Sequence, residues 1–416
     1  MNNKRWGVAV AAVIVQMALG AVYAWSVFSK PLAHQFHWSN SQVTLAFTIA
    51  IFVVGFAAFL GGLWSNRSGP RVVAMTGGFL YGAGVALASL SDHGLWVLYL
   101  TYGVIGGIGI GLGYIIPIAV LVRWFPDKRG LMTGIAVGGF GAGALITAPI
   151  ATRLIQSVGV LDTFFYLGIA YLIVGVVCGY FMQNPPDGYT PPGWQPSPML
   201  KKSTAAGNFT LGQALESWQW WVLWLLLFLN TSAGISIISQ ESPMFQTFAG
   251  VTALAASGMI GIASFGNGAG RIFWAWISDL IPRRFVFLIM FLLQAALFWI
   301  LPDIHSKAAL TTATFIILLC YGGGFGTMPA FAADYFGPKS VGQIYGLMLT
   351  AWGFASAFGP PLIAHLQQTT GNYDSGLHIL AIVLLVSAIL PFVVRPPRLP
   401  PEAAVGSSTG GMAIAH

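Results

Sequence analysis

Twelve apolar runs, divided by short polar breaks, dominate the chain at residues 6–28, 41–64, 72–90, 95–122, 131–156, 161–183, 218–240, 251–277, 285–301, 309–332, 341–366 and 376–394. A bilayer core of roughly 30 Å takes about 20 helical residues to cross, so each run predicts one membrane helix. We number these helices 1 to 12. The expected fold class is an all-α membrane protein of twelve transmembrane helices in two pseudo-symmetric six-helix halves.

Composition agrees with this pattern. Hydrophobic residues make up 56% of the 416 positions and charged residues only 7%, against about 25% charged in ordinary soluble domains. Such a chain lacks the polar surface to cover a soluble globule. Its net charge of +7 is a topology signal rather than a nucleic-acid footprint. Fourteen basic residues, including Lys4, Arg5, Arg71, Lys128, Arg284 and Lys339, fall on one side of the membrane; Lys30, Arg153 and Lys307 alone fall on the other. That bias puts both termini in the cytoplasm, with the cytoplasmic (inner) membrane as the expected location. The run after Lys4 and Arg5 exceeds a typical signal-peptide core and leads into eleven further spans, so it reads as helix 1. Cys178 and Cys320 both lie in apolar spans, which indicates neither a disulfide framework nor a thiolate metal site.

The longest polar break, 184–217, contains PPDGYTPPGWQPSPMLKKS and reads as a central cytoplasmic linker. It separates an N-terminal half, 1–183, from a C-terminal half, 218–394, which is followed by a Pro-, Gly- and Ser-rich tail, 395–416, expected to be disordered. The halves share features at a shift of about 212 residues: Pro31 with Pro243, Pro117 with Pro329, Pro149 with Pro360, and SNRSGPR (65–71) with SDLIPRR (278–284). Matches in consistent order point to a parallel duplication of six helices.

Arg271 interrupts the apolar run GMIGIASFGNGAGRIFWAWI, Gly258 to Ile277. A cation at that depth costs at least about 2.5–3.5 kcal/mol. No Asp or Glu is expected within the membrane portion of any span, so an anionic ligand is the leading counter-charge and transport the leading function. The spans lack HExxH, clustered histidines and paired carboxylates, which argues against an intramembrane enzyme. A non-transporting receptor is the other distant alternative. No cofactor and no metal are implied.

The stretch RWFPDKRGLMTGIAVGGFGAG, residues 123–143, resembles the helix 4–5 connection of the oxalate/formate antiporter family and its relatives, the monocarboxylate transporters of the major facilitator superfamily. The similarity runs from Arg5 through helix 12. The resemblance implies that Arg271 is the helix 8 arginine that binds substrate carboxylate. It places Tyr23 and Tyr114 at aromatic cavity positions, and Tyr321 where the oxalate transporter has a tryptophan. Trp352 stands where that transporter has a second cation, a lysine, so a monocarboxylate fits better than a dianion. Asn267 stands where proton-coupled monocarboxylate transporters have aspartate, and Leu19 where they have a helix 1 lysine. The lysine–aspartate–arginine relay is thus reduced to its arginine.

The expected substrate-binding set is Arg271, Asn267, Tyr114, Tyr321, Tyr23, Trp352, Leu19 and Leu145, the two leucines lining the pocket if helices 1 and 5 face it. Asp279, Arg283 and Arg284, with Arg67 and Arg71 in the first half, form the expected conformational latch; Asn66 replaces the first-half carboxylate. Together these residues predict a monomeric secondary transporter of small monocarboxylates such as lactate or pyruvate, using proton symport and alternating access in the lipid bilayer. Organic anion exchange, including oxalate/formate exchange, is the alternative.

Overall fold

The computed structural model describes residues 2–186, 189–191, 209–337 and 341–397. All regular structure among them is helical, as the bilayer requires of a chain that must satisfy its own backbone. Eleven helices are long and apolar enough to cross a membrane. The remaining long one, helix 8 (Ala253–Leu280), has 28 residues, about 42 Å of rise. It is the least apolar of the twelve because it carries Asn267, Arg271 and several Gly and Ser residues. Helix 8 packs against helices 5 and 10 on the face that carries Asn267 and Arg271, and exposes Ile262, Phe265 and Trp276 on the other.

Local chemistry sets the helix ends. Ser39 and Gln42 form a capping box at the start of helix 2 (Asn40–Ser68), and the Thr252 side chain accepts from the Ala255 amide to open helix 8. Helix 11 stops at Gly371, whose φ of 79° suits only a residue without a Cβ. The paired prolines all lie inside helices, Pro31, Pro117 and Pro149 in the first half and Pro243, Pro329 and Pro360 in the second.

Several membrane helices are broken, helix 12 among them, at the step from Asp374–Ser387 to Leu390–Val393. Helix 1 consists of Asn2–Leu19, a tighter turn at Gly20–Ala24, and Ser26–Phe36. Helix 4 has a widened stretch at Tyr99–Gly106 before Gly107–Trp124. Helix 5 divides into Arg129–Gly141 and Gly143–Val158, and helix 11 into Val341–Met348 and Thr350–Thr370. Close backbone approach explains the break in helix 1: a Cβ at Gly20 would overlap the carbonyl of Phe140 on helix 5.

Two seams join the halves. Helix 2 meets helix 11 where Gly55 faces the Gly353 amide, 3.1 Å from a Cβ at Gly55. Helix 5 meets helix 8 where the Ser264 hydroxyl donates to the Gly141 carbonyl at 2.8 Å and accepts from the Ala144 amide at 3.1 Å.

Two expectations change. Helix 7 runs from Trp218 to Phe248, beyond residue 240, so Glu241 is a buried helical residue; a carboxyl does lie within a span. Part of the linker is ordered as a short helix, Leu211–Glu216, capped by Thr210 and tied down by the Phe209 amide donating to the Phe336 carbonyl at 2.9 Å. The rest of the linker's proline-rich stretch, 192–208, and residues 398–416 of the tail lie outside the described residues.

Within the first half, a Cβ at Gly175 would sit 2.6 Å from the Gly78 Cα across the helix 3–6 contact. Gly175→Leu should therefore cost about 1–3 kcal/mol or more, read as a lower melting midpoint in detergent. Gly62→Ala, where a Cβ meets nothing within 4 Å, should melt as the parent does.

Candidate functional site

Arg271 lies nine residues, about 14 Å of rise, from the Leu280 end of helix 8, and is 1% exposed. Its Nη1 donates to the Tyr114 hydroxyl at 3.2 Å and its Nε to Asn267 Oδ1 at 3.4 Å, one turn back on its own helix. The guanidinium carbon stands 4.6 Å from the ring centre of Phe325 and 5.6 Å from that of Phe140. Such cation–ring contacts stabilise a desolvated cation by about 2 kcal/mol at most sites of this kind.

The breaks in the helices supply the walls. Tyr23, in the tight turn of helix 1, shares a 2.9 Å hydrogen bond with the Tyr321 hydroxyl on helix 10. Trp352, three residues past the break at Leu349 in helix 11, has its ring centre 5.3 Å from Phe325, 5.8 Å from Phe140, 5.9 Å from Tyr114 and 6.4 Å from Tyr23. Tyr114 is held from behind: Gln16 Nε2 on helix 1 donates to its carbonyl at 2.9 Å. Six aromatic rings from helices 1, 4, 5, 10 and 11 thus enclose the guanidinium.

Three donors in this cage have no acceptor: Arg271 Nη2, Asn267 Nδ2 and Trp352 Nε1. A buried donor left unmet costs about 1–3 kcal/mol, more when charged. An ionised carboxylate is acceptor-only, with two oxygens that suit the planar fork of a guanidinium. The three unmet donors of the cage are complementary to an acceptor-only group.

The structure gathers six of the eight residues expected to bind substrate: Arg271, Asn267, Tyr114, Tyr321, Tyr23 and Trp352. Leu19 is buried behind them, its Cδ1 2.8 Å from the Cβ position of Gly113, the residue before Tyr114. Leu145 is a correction. It is 39% exposed and abuts Gly261 on the helix 5–8 seam; five residues past Phe140, it lies about 140° round the helix from that ring. Phe140 and Phe325 were missed. Phe325 follows Tyr321 by four residues, a same-face spacing that offered a signal; Phe140 offered none beyond its place in GGFGAG.

At the end that holds the linker, Arg283 Nη2 lies 3.6 Å from Asp279, its Nε bonds Asp334, and its Nη1 donates to the Ser278 carbonyl at 3.3 Å. This ties helices 8, 9 and 10 of one half together. The expected wider latch is not assembled. Arg284 rests on the rings of Phe285 and Phe392, Arg71 lies over Tyr180 at 4.4 Å, and Arg67 is exposed; among the described residues none of the three pairs with a carboxylate. Asp334 was missed, as was the pair between Arg5 and Asp127 at 3.5 Å, which fastens helix 1 to the loop between helices 4 and 5.

Comparison with known proteins places the chain in a family. The chain is 28% identical over 403 residues to the oxalate:formate antiporter of Oxalobacter formigenes, covering 95% of this chain and 92% of that one. It is 26% identical over 393 residues to apicoplast pyruvate carrier 1 of Toxoplasma gondii, with 80% and 71% covered. Its fold matches the crystal structure of a D-xylose–proton symporter with a TM-score of 0.71 at 15% identity, over 95% of this chain and 99% of that one. The model of the Major Facilitator Superfamily matches residues 8–360 and 250–412, so the chain belongs to that superfamily and is a transporter, not an enzyme.

Proposed function

We propose that this chain moves small monocarboxylates such as lactate or pyruvate by alternating access, binding the carboxylate at Arg271 and carrying a proton with it. The observation behind this reading is the set of three unmet donors, one of them a guanidinium nitrogen, inside an aromatic cage. The carboxylate bridges Arg271 Nη2 and its neighbours, while the rings of Phe140, Phe325 and Trp352 accept the organic body. Asn267 Nδ2 is placed to donate to a second oxygen, such as the 2-hydroxyl of lactate or the keto oxygen of pyruvate. Similarity to transporters named for pyruvate and for oxalate and formate agrees with an organic anion as substrate.

A single cation favours a single carboxylate. A dianion would bring a second charge into apolar walls with no second cation to meet it, at a cost of several kcal/mol. Exchange of one carboxylate for another is the second reading, favoured by the similarity to the oxalate:formate antiporter. Labelled-lactate uptake into proteoliposomes distinguishes the two: accumulation under an imposed proton gradient supports symport, and uptake only against internal carboxylate supports exchange.

Arg271→Ala should abolish both modes while leaving inserted, folded protein, and Arg271→Lys should impair them because the planar fork is lost. Full uptake by folded Arg271→Ala would remove the proposed site. Tyr114→Phe takes away an oxygen that orients the guanidinium; lactate KM should rise about tenfold, matching the roughly 1.5 kcal/mol of a hydrogen bond to a charged group. Trp352→Lys adds a second cation, so oxalate should compete better against labelled lactate. Unchanged competition would sink the account of selectivity.

A further inference from the structure

The membrane interior holds a second ionisable side chain that the site above does not use. Glu241 on helix 7 is 1% exposed and its Oε1 meets no donor. Among the described residues no Lys, Arg or His forms an ion pair with it. An unpaired ionised carboxylate in a dry interior is far more costly than a neutral carboxyl. A carboxyl that alternates between a dry setting and water is thereby a proton carrier.

Its position supplies the alternation. Glu241 lies seven residues, about 10 Å of rise, from the Phe248 end of helix 7, on the membrane face opposite the linker. Its neighbour Gln240 donates to Thr44 on helix 2 at 2.8 Å and accepts from Asn40 at 3.1 Å. Asn40 also donates to Gln367 on helix 11 at 3.0 Å, and Ser41 to Gln368 at 2.8 Å. These contacts join one half to the other and close that face. Opening it must break them, and the carboxyl next to Gln240 is then the first buried acid that water meets.

Asn230, Gly234 and Glu241 share one face of helix 7 by their spacing. Asn230 Nδ2 donates to the Tyr321 carbonyl at 3.2 Å, and Gly234 admits the Tyr321 ring against the helix backbone. The face that carries Glu241 thus also positions Tyr321 in the cage. The segment of helix 1 packed on helix 7 adds two buried hydroxyls without partners, Ser26 and Ser29.

Other ionisable groups on the packed elements are otherwise engaged or lie elsewhere along them. Lys30 on helix 1 donates to Gln246 at 3.1 Å, His305 before helix 10 bonds the Phe248 carbonyl at 3.1 Å, and His378 on helix 12 bonds the Trp299 carbonyl at 3.1 Å. Tyr321 is paired with Tyr23. His34 on helix 1, Lys307 on helix 10, His365 on helix 11 and Asp374 on helix 12 make no hydrogen bond or ion pair to Glu241. Arg271 on helix 8 spends its hydrogen bonds on Asn267 and Tyr114.

We propose that Glu241 is the proton-binding residue of the transport cycle, serving where the family's lysine and aspartate are replaced by Leu19 and Asn267. This rests on the proton-linked carboxylate transport proposed above. When the face opposite the linker opens, Glu241 takes a proton from water and Arg271 takes the anion. Each buried charge is then neutralised by its own ligand, and the closed form moves one proton and one monoanion with no net charge. When the other face opens, the anion leaves Arg271 and the proton leaves the Glu241 carboxyl.

The test compares wild type, Glu241→Gln and Glu241→Asp, all full-length, in proteoliposomes with labelled lactate. One proton per anion supports up to about tenfold accumulation for each unit of imposed pH difference. Glu241→Gln should lose that accumulation, equilibrating only, yet keep lactate–lactate exchange near the wild-type rate; Glu241→Asp should restore part of the accumulation. Wild-type accumulation retained in Glu241→Gln overturns the proposal. Exchange without gradient-driven accumulation in the wild type also overturns it, while leaving carboxylate binding at Arg271 intact. If the wild type handles no lactate at all, the Arg271 reading fails separately, and infrared spectra still decide for Glu241. A protonated-carboxyl stretch that titrates in the wild type and is missing from Glu241→Gln supports it, and its absence from the wild type refutes it.

Discussion

A guanidinium sealed in an apolar bundle sets the terms for this protein. Arg271 keeps its charge, and insertion of that charge costs at least about 2.5–3.5 kcal/mol. The fold meets the cost in instalments: one phenol oxygen, one amide oxygen and the faces of two phenylalanine rings. None of these is a full counter-charge. The arrangement holds the cation in place and leaves one of its nitrogens, Nη2, without an acceptor.

The same requirement accounts for the irregular helices. Rings as large as Tyr23, Phe140 and Trp352 must point inward from helices whose backbones almost touch. Gly20 and Gly143 let helices 1 and 5 approach at the break, and Gly234 gives the Tyr321 ring a place against helix 7. A straight, close-packed helix could not bring both a backbone contact and a bulky ring to the same level. The breaks in helices 1, 5 and 11 lie beside cage residues Tyr23, Phe140 and Trp352, as irregular backbone in membrane transporters often lies near the centre of the bundle.

The contacts within each half differ in kind from those between the halves. The ion pairs of Arg283 stay inside the second half and that of Arg5 inside the first, so each half is braced as a body. Between the halves the contacts are glycine seams, neutral side-chain hydrogen bonds such as Gln240 to Thr44, and two bonds from cations to neutral acceptors, Arg271 to Tyr114 and Lys30 to Gln246; no ion pair crosses among the described residues. The neutral bonds exchange readily for water, at about 0.5–1.5 kcal/mol each. Rigid halves with a weakly bonded interface are what rocking about a central site requires.

Sequence by itself determined the class of the molecule. Apolar runs too long for anything but a bilayer, a basic side, a repeat with matched prolines and one cation in a span are one-dimensional signals, and the physics behind each is local. Most of the cage was legible for the same reason: Asn267 and Arg271 share a helical face by spacing, and the resemblance carried Tyr23, Tyr114, Tyr321 and Trp352. Tertiary structure alone decided the rest. Which face of helix 5 meets the cage is set by packing, and it is the face of Phe140 rather than that of Leu145; Phe140 becomes a wall where Gly20 lets helix 1 reach it. Arg283 finds Asp334 51 residues away, and Glu241 lies inside the bundle only because helix 7 continues past the apolar run. Depth, facing and long-range partners are set by packing, which no single stretch of sequence specifies.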